Sequence, residues 1–483
     1  MDFHGMWGMG KMLRDTGAFF MRRSYNDDSL YWTTFKQYVY QLVTKGDVPL
    51  EFFIEGTRSR SNKSISPKYG LITMVLKAFF FSEVYDILFV PGFFKSLTIL
   101  SENFGDIYAH FNRPISAREF FGDKLDRSVH SLKPLHMQEV TEQEKLLIPS
   151  LAHEIVYRQQ KSNVITVFNL LSLILNHNLT KRKEPLTVTE LIGEVNWFKG
   201  DNGEFRCVRV YRRHRKSIRD SFTAHKNLIG IEQDRVCLIE NFIALDKMSP
   251  SRLKGHSLSE KTMSHSVPFV MLQIYVNPTL HYLIDAAVVV LILSCKTRLS
   301  EEELFNNYHF IRSLFSTEFV TFPPREKMEF DTALQHSINL GLINYMSDGH
   351  YECGPNDKLQ DILISIIEPF TLTYFVVLYV LERAPLLIEE KTIIVSVQKI
   401  LEEKINSRAT FVHPYCLNLD TLNNCLNSLS STRVVKKSTS TNKAIYETKR
   451  ELVTEIKNNL GVYIPKCHIE EISITPVHFQ NKL

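Results

Sequence analysis

What this sequence has little of narrows its chemistry first. Its seven cysteines, Cys207, Cys237, Cys295, Cys353, Cys416, Cys425 and Cys467, are widely spaced and form no CxxC pair. That pattern excludes a disulfide framework and a zinc site, and it fits a reducing compartment. A formal net charge of +4 over 483 residues is small, so an electrostatic partner must be attracted by local clusters. A charged start followed by an apolar run is missing, so no secretory signal is expected. Long unbroken apolar runs are also scarce. Thr279–Ser294 is interrupted by His281 and Asp285, and Thr371–Leu381 is too short to span a bilayer. Both read as buried helices, with a monotopic membrane contact as the alternative.

What is present divides near residue 141. Residues 1–141 alternate helical and extended patterns, which predicts an α/β domain with a mostly parallel sheet covered on both faces. After a helix through Thr16, Gly17-Ala18-Phe19-Phe20-Met21-Arg22-Arg23 reads as a short buried strand ending in two arginines. Asp27, Asp28 and Ser29 are candidate caps for a helix through Lys45, which Gly46 terminates. Ser66-Pro67 should open the next helix, and Tyr85–Pro91 and Asp106–Phe111 read as strands. Residues 142–483 are mainly helical, with Thr187 and Glu190 as a capping box. Two stretches there repeat a pattern. A helix at Asp331–Leu342 leads to a hairpin turning at Asp348-Gly349, and one at Leu419–Leu429 leads to a hairpin over Arg433–Tyr446. Neither helix has a basic face, so these modules read as packing units rather than nucleic-acid binders. The densest basic cluster, Arg206 to Arg219, contains only Tyr211 as an aromatic, which favours a solvated or membrane-facing loop over RNA.

The most informative stretch is Pro49 to Arg60, an apolar run that ends in Glu55-Gly56-Thr57-Arg58-Ser59-Arg60, with Lys63 and Lys68 following. Guanidinium groups bind phosphate oxygens in pairs and glycine admits the backbone to close range, so the loop suits a phosphate. The same composition also suits a solvated turn.

The order Gly17 to Arg23, then Phe53 to Arg60, resembles the second and third motif blocks of the glycerol-3-phosphate acyltransferase superfamily. Leu30-Tyr31-Trp32, Ile99 to Gly105 and the helical second half resemble its peroxisomal branch, which acylates dihydroxyacetone phosphate at the start of ether-lipid (plasmalogen) synthesis. The resemblance implies acyl transfer from acyl-CoA, a co-substrate rather than a cofactor, with no metal. It implies that Arg22, Arg23, Arg58 and Ser59 lie near the acceptor phosphate, and that Gly17, Glu55, Gly56, Thr57 and Arg60 shape the loop. Asn481-Lys482-Leu483 resembles a peroxisomal address. The implied partners are the import receptor, the lumenal side of the peroxisomal membrane and alkyl-dihydroxyacetone phosphate synthase, with no nucleic acid.

Two departures qualify the resemblance. The family's general base is the histidine of a His-x-x-x-x-Asp block, and none of the 17 histidines here has an aspartate five positions on. His281 and Asp285 share a helical face, but a satisfied core histidine fits that apolar segment better. After Val90-Pro91 a few dozen residues of the family pattern are also missing, so the sheet is expected to be incomplete. The expectation is a shortened family member with little or no turnover. The alternatives are a non-catalytic partner or regulator of ether-lipid enzymes, and a glycerol-3-phosphate acyltransferase.

Overall fold

The computed structural model describes residues 9–22, 28–57, 59–94, 109–134, 137–181, 184–199, 221–239, 258–407, 409–440, 443–477 and 479. The chain forms two compact units interleaved in sequence. One comprises Met1–Gly56, Lys68–Val90 and Pro114–Ala152, and the other Thr57–Pro67, Pro91–Arg113 and His153–Leu483.

The first unit is built on short helices. α1 (Met9–Asp15) stops at Gly17, whose positive φ and N–H bond to the Arg14 carbonyl make it a helix terminator. The residues after it form no strand; Phe19 and Phe20 are half-buried and Ala18 is exposed. The expected strand from Gly17 is therefore corrected to a helix stop and an irregular segment. α2 (Ser29–Lys45) starts where Asp28 accepts from the Tyr31 N–H at 3.0 Å and ends at Gly46 with φ +64°, as its sequence signals require. It buries Phe35, Val39 and Tyr40. α3 (Tyr69–Phe80) begins beyond the expected Ser66-Pro67 cap: Lys68 is its extended N-cap residue, and the Lys68 N–H bonds the Ile54 carbonyl at 2.8 Å. Its apolar run packs Phe79 and Phe80 against Phe121.

Strands are few and short: β1 (Leu88–Phe89), β2 (Gly92–Phe94), β3 (Ala109–Phe111) and β4 (Ile115–Ser116), paired β1 with β4 and β2 with β3, both antiparallel. The apolar run before the Glu55 loop has no strand partner, and Phe53 is 79% exposed. Among the described residues every strand pair is antiparallel, so the mostly parallel sheet is not found there. A continuous apolar run identifies a strand only when other strands lie beside it.

The second unit is helical. α4 (Val167–Thr180) is closed by a Thr166–Asn169 capping box and buries nearly all its residues. α5 (Val188–Lys199) carries the expected Thr187–Glu190 box, its paired bonds 2.8 and 3.2 Å long. α6 (Glu260–Lys296) packs against α4 and against the later long helix Asp357–Arg383. Both long helices could cross a membrane by length and composition, yet 67% and 89% of their most apolar windows are buried inside this unit. They contain Thr279–Ser294 and Thr371–Leu381, which are core, as expected.

Each long helix introduces one copy of the same module. After α6 come β5 (Arg298–Ser300), α7 (Glu301–Leu314), α8 (Glu326–Asn339), β6 (Ile343–Tyr345) and β7 (His350–Cys353), with β7 central in a three-stranded sheet. After α9 (Asp357–Arg383) come β8 (Leu387–Glu389), α10 (Glu390–Ser407), α11 (Leu419–Ser431), β9 (Val435–Ser440) and β10 (Lys443–Thr448), with β10 central. The helix-plus-hairpin reading is met in both copies. The third strand of each sheet is new, because three residues are too few to reveal a period.

Candidate functional site

The Glu55 loop is constructed by a narrow neck. Gly56 adopts φ +68° and its N–H bonds the Phe53 carbonyl at 2.9 Å. A Cβ there would lie 2.8 Å from Lys68 Cγ, so glycine is needed both for its dihedral and for the close approach of the returning strand of the loop. Ile54 is buried beneath the neck, Glu55 is half-buried, and Thr57 is exposed. Beyond it Ser59 is half-buried and Arg60 exposed. Arg58 lies outside the described residues.

The other expected phosphate residues divide similarly. Arg22 donates to the Asp28 carboxylate at 2.7 Å, its guanidinium lies 4.3 Å from the Tyr31 ring centroid, and its N–H bonds the Tyr31 hydroxyl. The Tyr31 N–H, and then Arg22, hold the Asp28 carboxyl below its usual range. This is an exposed, exchangeable ion pair: a phosphate would compete with a carboxylate for the same cation. Arg23, the cluster Arg206 to Arg219, and Asn481, Lys482 and Leu483 lie outside the described residues.

Immediately past Arg60 the loop changes character. Ser61 and Lys63 are both only 7% exposed. The Ser61 carbonyl accepts from Asn277 Nδ2 at 2.7 Å, in the middle of α6. Behind it runs a chain of buried amides. Gln273 donates to Asn277 Oδ1 at 3.0 Å, Asn176 on α4 donates to Gln273 Oε1 at 3.0 Å, and His413 Nε2 donates to Asn176 Oδ1 at 2.7 Å. His413 Nδ1 accepts the Tyr415 N–H, so the ring is neutral, and burial pushes its pKa down to about 3. Lys63 pairs with the buried Glu318 carboxylate, its ammonium lying over the rings of Phe370 and Phe319. Asn424 and Thr421 on α11 donate to Glu318 at 2.9 and 3.4 Å. Burial pushes Lys63 down to about 7 against the pull of Asp420, and the contacting Glu318 carboxylate favours the charged form of the amine. The sequence suggests that Lys63 adds to the charge offered to a phosphate; it is instead committed to this internal pair. No local signal could disclose that, since Asn277 and Glu318 are remote in sequence.

Histidine–carboxylate pairs bear on the general base, and besides His309–Glu326, His350–Asp348 and His468–Glu368 two buried neighbourhoods matter. His281 Nε2 bonds the Gln160 carbonyl at 2.9 Å, and burial pushes its pKa down to about 4. Asp285 instead accepts from Tyr308 and pairs with Arg312, so the two do not form a dyad. His130 does meet Glu144 at 2.8 Å, but it is 1% exposed and lies against Phe81, while Glu144 also caps the helix Glu142–Lys161 through the Thr141 N–H. That pair is a core contact without access for a substrate hydroxyl.

Residues 2–95 match the acyltransferase family, and residues 90–438 match the glycerol-3-phosphate acyltransferase C-terminal region. The chain is a member of the glycerol-3-phosphate acyltransferase family. It is 26% identical over 499 residues to the dihydroxyacetone phosphate acyltransferase of Oryctolagus cuniculus, covering 96% of this chain and 71% of that protein. Against the Homo sapiens protein of the same name it is 25% identical with the same coverage. The glycerol-3-phosphate acyltransferase of Pseudomonas fluorescens (strain Pf0-1) is 23% identical over 386 residues, 72% of this chain and 43% of the relative.

Proposed function

We propose that this chain belongs to an enzyme that transfers an acyl group from acyl-CoA to the free hydroxyl of dihydroxyacetone phosphate, the first step of ether-lipid synthesis. The observation that carries the reading is the glycine-necked loop, whose exposed Arg60 and half-buried Ser59 occur in a chain similar over 96% of its length to a protein named for that acceptor. In this reading Arg22, Arg23, Arg58 and Ser59 hold the phosphate by charge-assisted hydrogen bonds, and Gly17, Glu55, Gly56, Thr57 and Arg60 set the loop's shape. The fit needs no metal and no cofactor, with acyl-CoA as the co-substrate. Residues 1–141 supply the acceptor half, and residues 142–483 the helical support. Asn481-Lys482-Leu483 directs the protein to the peroxisome through the import receptor, where it works at the lumenal face of the membrane, beside alkyl-dihydroxyacetone phosphate synthase.

Because none of the 17 histidines stands in a His-x-x-x-x-Asp block, these 483 residues by themselves have no evident proton acceptor for the hydroxyl. The purified chain should bind dihydroxyacetone phosphate measurably by calorimetry and transfer labelled acyl groups slowly or not at all. Arg58→Ala should weaken acceptor binding roughly tenfold or more, as expected for a lost charge-assisted contact. Robust turnover would contradict the account of the base, and unchanged binding in the variant would contradict the loop assignment. A glycerol-3-phosphate acceptor is the second reading, favoured by the Pseudomonas relative, and a parallel titration with that compound decides between them. A non-catalytic regulator of ether-lipid enzymes would bind phosphate and transfer nothing even when supplied with a competent general base.

A further inference from the structure

Thr57–Pro67 groups with the helical unit although the chain on both sides of it belongs to the other unit. Two buried contacts account for that. The Ser61 carbonyl ends the amide chain His413, Asn176, Gln273, Asn277, in which each side chain donates to the next and the direction is fixed from the neutral imidazole outward; Asn277 Nδ2 also donates to the Tyr415 hydroxyl at 3.2 Å. Two residues on, Lys63 is enclosed with Glu318 between the Phe319 and Phe370 rings, and Glu318 is itself held by Asn424 and Thr421 of the second module. A buried ion pair is a poor way to add stability, since apolar residues of similar volume do as well or better. It is an effective way to fix register, because only one alignment of the chain leaves neither charge unpaired. Arg58, Ser59 and Arg60 precede Ser61 directly. A chain advancing at most about 3.6 Å per residue keeps Ser59 and Arg60 within about 7 Å of the pinned Ser61 along the chain.

We infer that Lys63, Glu318 and Asn277 are positioning residues, through which the helical region holds the acceptor-phosphate loop in register. The phosphate role of the loop rests on the function proposed above; the tether itself does not. This gives the helical region a direct part in acceptor binding.

The test separates the two. Lys63→Ser with Glu318→Gln removes the pair without leaving a buried charge, and Asn277→Ala cuts the other tether with the ion pair intact. Amide hydrogen exchange of the ligand-free chain should speed up roughly tenfold or more across residues 57–62 while α9 keeps its protection. Asn277→Ala should give the same local pattern to a smaller degree, and it stands as the reading if the double variant fails to fold. Calorimetric affinity for dihydroxyacetone phosphate should fall about tenfold, with acyl-CoA affinity unchanged. Unaltered loop exchange in both variants overturns the tether. Faster loop exchange with unaltered acceptor affinity keeps the tether and overturns the phosphate assignment.

Discussion

Arg22, which the sequence assigns to a phosphate, and Lys63, which follows the basic loop, are two cations to which the fold gives opposite fates. Arg22 lies at the mouth of a helix, paired with the Asp28 carboxylate in a bridge whose side chains remain 58% and 40% exposed. Lys63 is enclosed with Glu318, their side chains 6% and 0% exposed. The difference is what water does to each pair. An exposed pair is screened and can exchange its carboxylate for a phosphate at little cost. A buried pair cannot release either partner without stranding a charge in low dielectric. One cation is therefore available for binding and the other for holding the chain in place.

The largest effect should come from breaking the buried pair on one side only. Glu318→Ala leaves the Lys63 ammonium buried without a counter-ion and removes the acceptor of Asn424, and should cost about 3–5 kcal/mol in urea unfolding. A loss under about 1 kcal/mol would mean that Lys63 reaches water and that the contrast with Arg22 is false.

Acid should act next when taken one histidine at a time, and His413 stands in the polar chain behind Ser61. Burial lowers His413 to about 3, and His153 and His281 to about 4, whereas an unfolded histidine titrates near 6.5. The folded values lie below the unfolded one, so between them the unfolded chain binds more protons and stability falls as the pH falls. The stability these groups protect is complete above about pH 6.5 and declines by up to about 1.4 kcal/mol per pH unit for each histidine below it. Urea midpoints from pH 7.5 to 4.5 measure this, and His413→Gln should remove one proton's share of the slope. A slope unchanged by that substitution would show that His413 is not held neutral by the fold.

The smallest effect belongs to the exposed pair. Asp28→Asn keeps the cap on α2 and removes the charge that competes for Arg22. Thermal stability should hardly move, while affinity for dihydroxyacetone phosphate should rise roughly threefold as Arg22 is released. Weaker binding instead would mean that Asp28 orients Arg22 for the phosphate rather than competing with it.

Much of the local construction was legible beforehand, and for one reason. Asp28 and Gly46 bound α2, Thr187 and Glu190 form their box, and Asp348-Gly349 turns its hairpin, because each signal is satisfied within a few residues of itself. Strands were read less well. The run at Gly17 became a helix stop and the run before Glu55 stayed unpaired, since an extended segment is a strand only if another lies beside it. The three-residue strands Arg298–Ser300 and Leu387–Glu389, which make the two modules equivalent, were too short to register.

For the Glu55 loop, the sequence by itself determined which groups are on offer: a glycine that can take the positive φ of the neck, two arginines, a serine and two lysines, within a stretch that matches the acyltransferase family. Tertiary structure alone decided their division of labour. It turned Arg60 outward, tied Arg22 to Asp28, and drew Ser61 and Lys63 inward to Asn277 and Glu318. Desolvation is the physical reason: whether a charge is a ligand-binding group or an anchor depends on how much water surrounds it, and that is settled by residues far away along the chain.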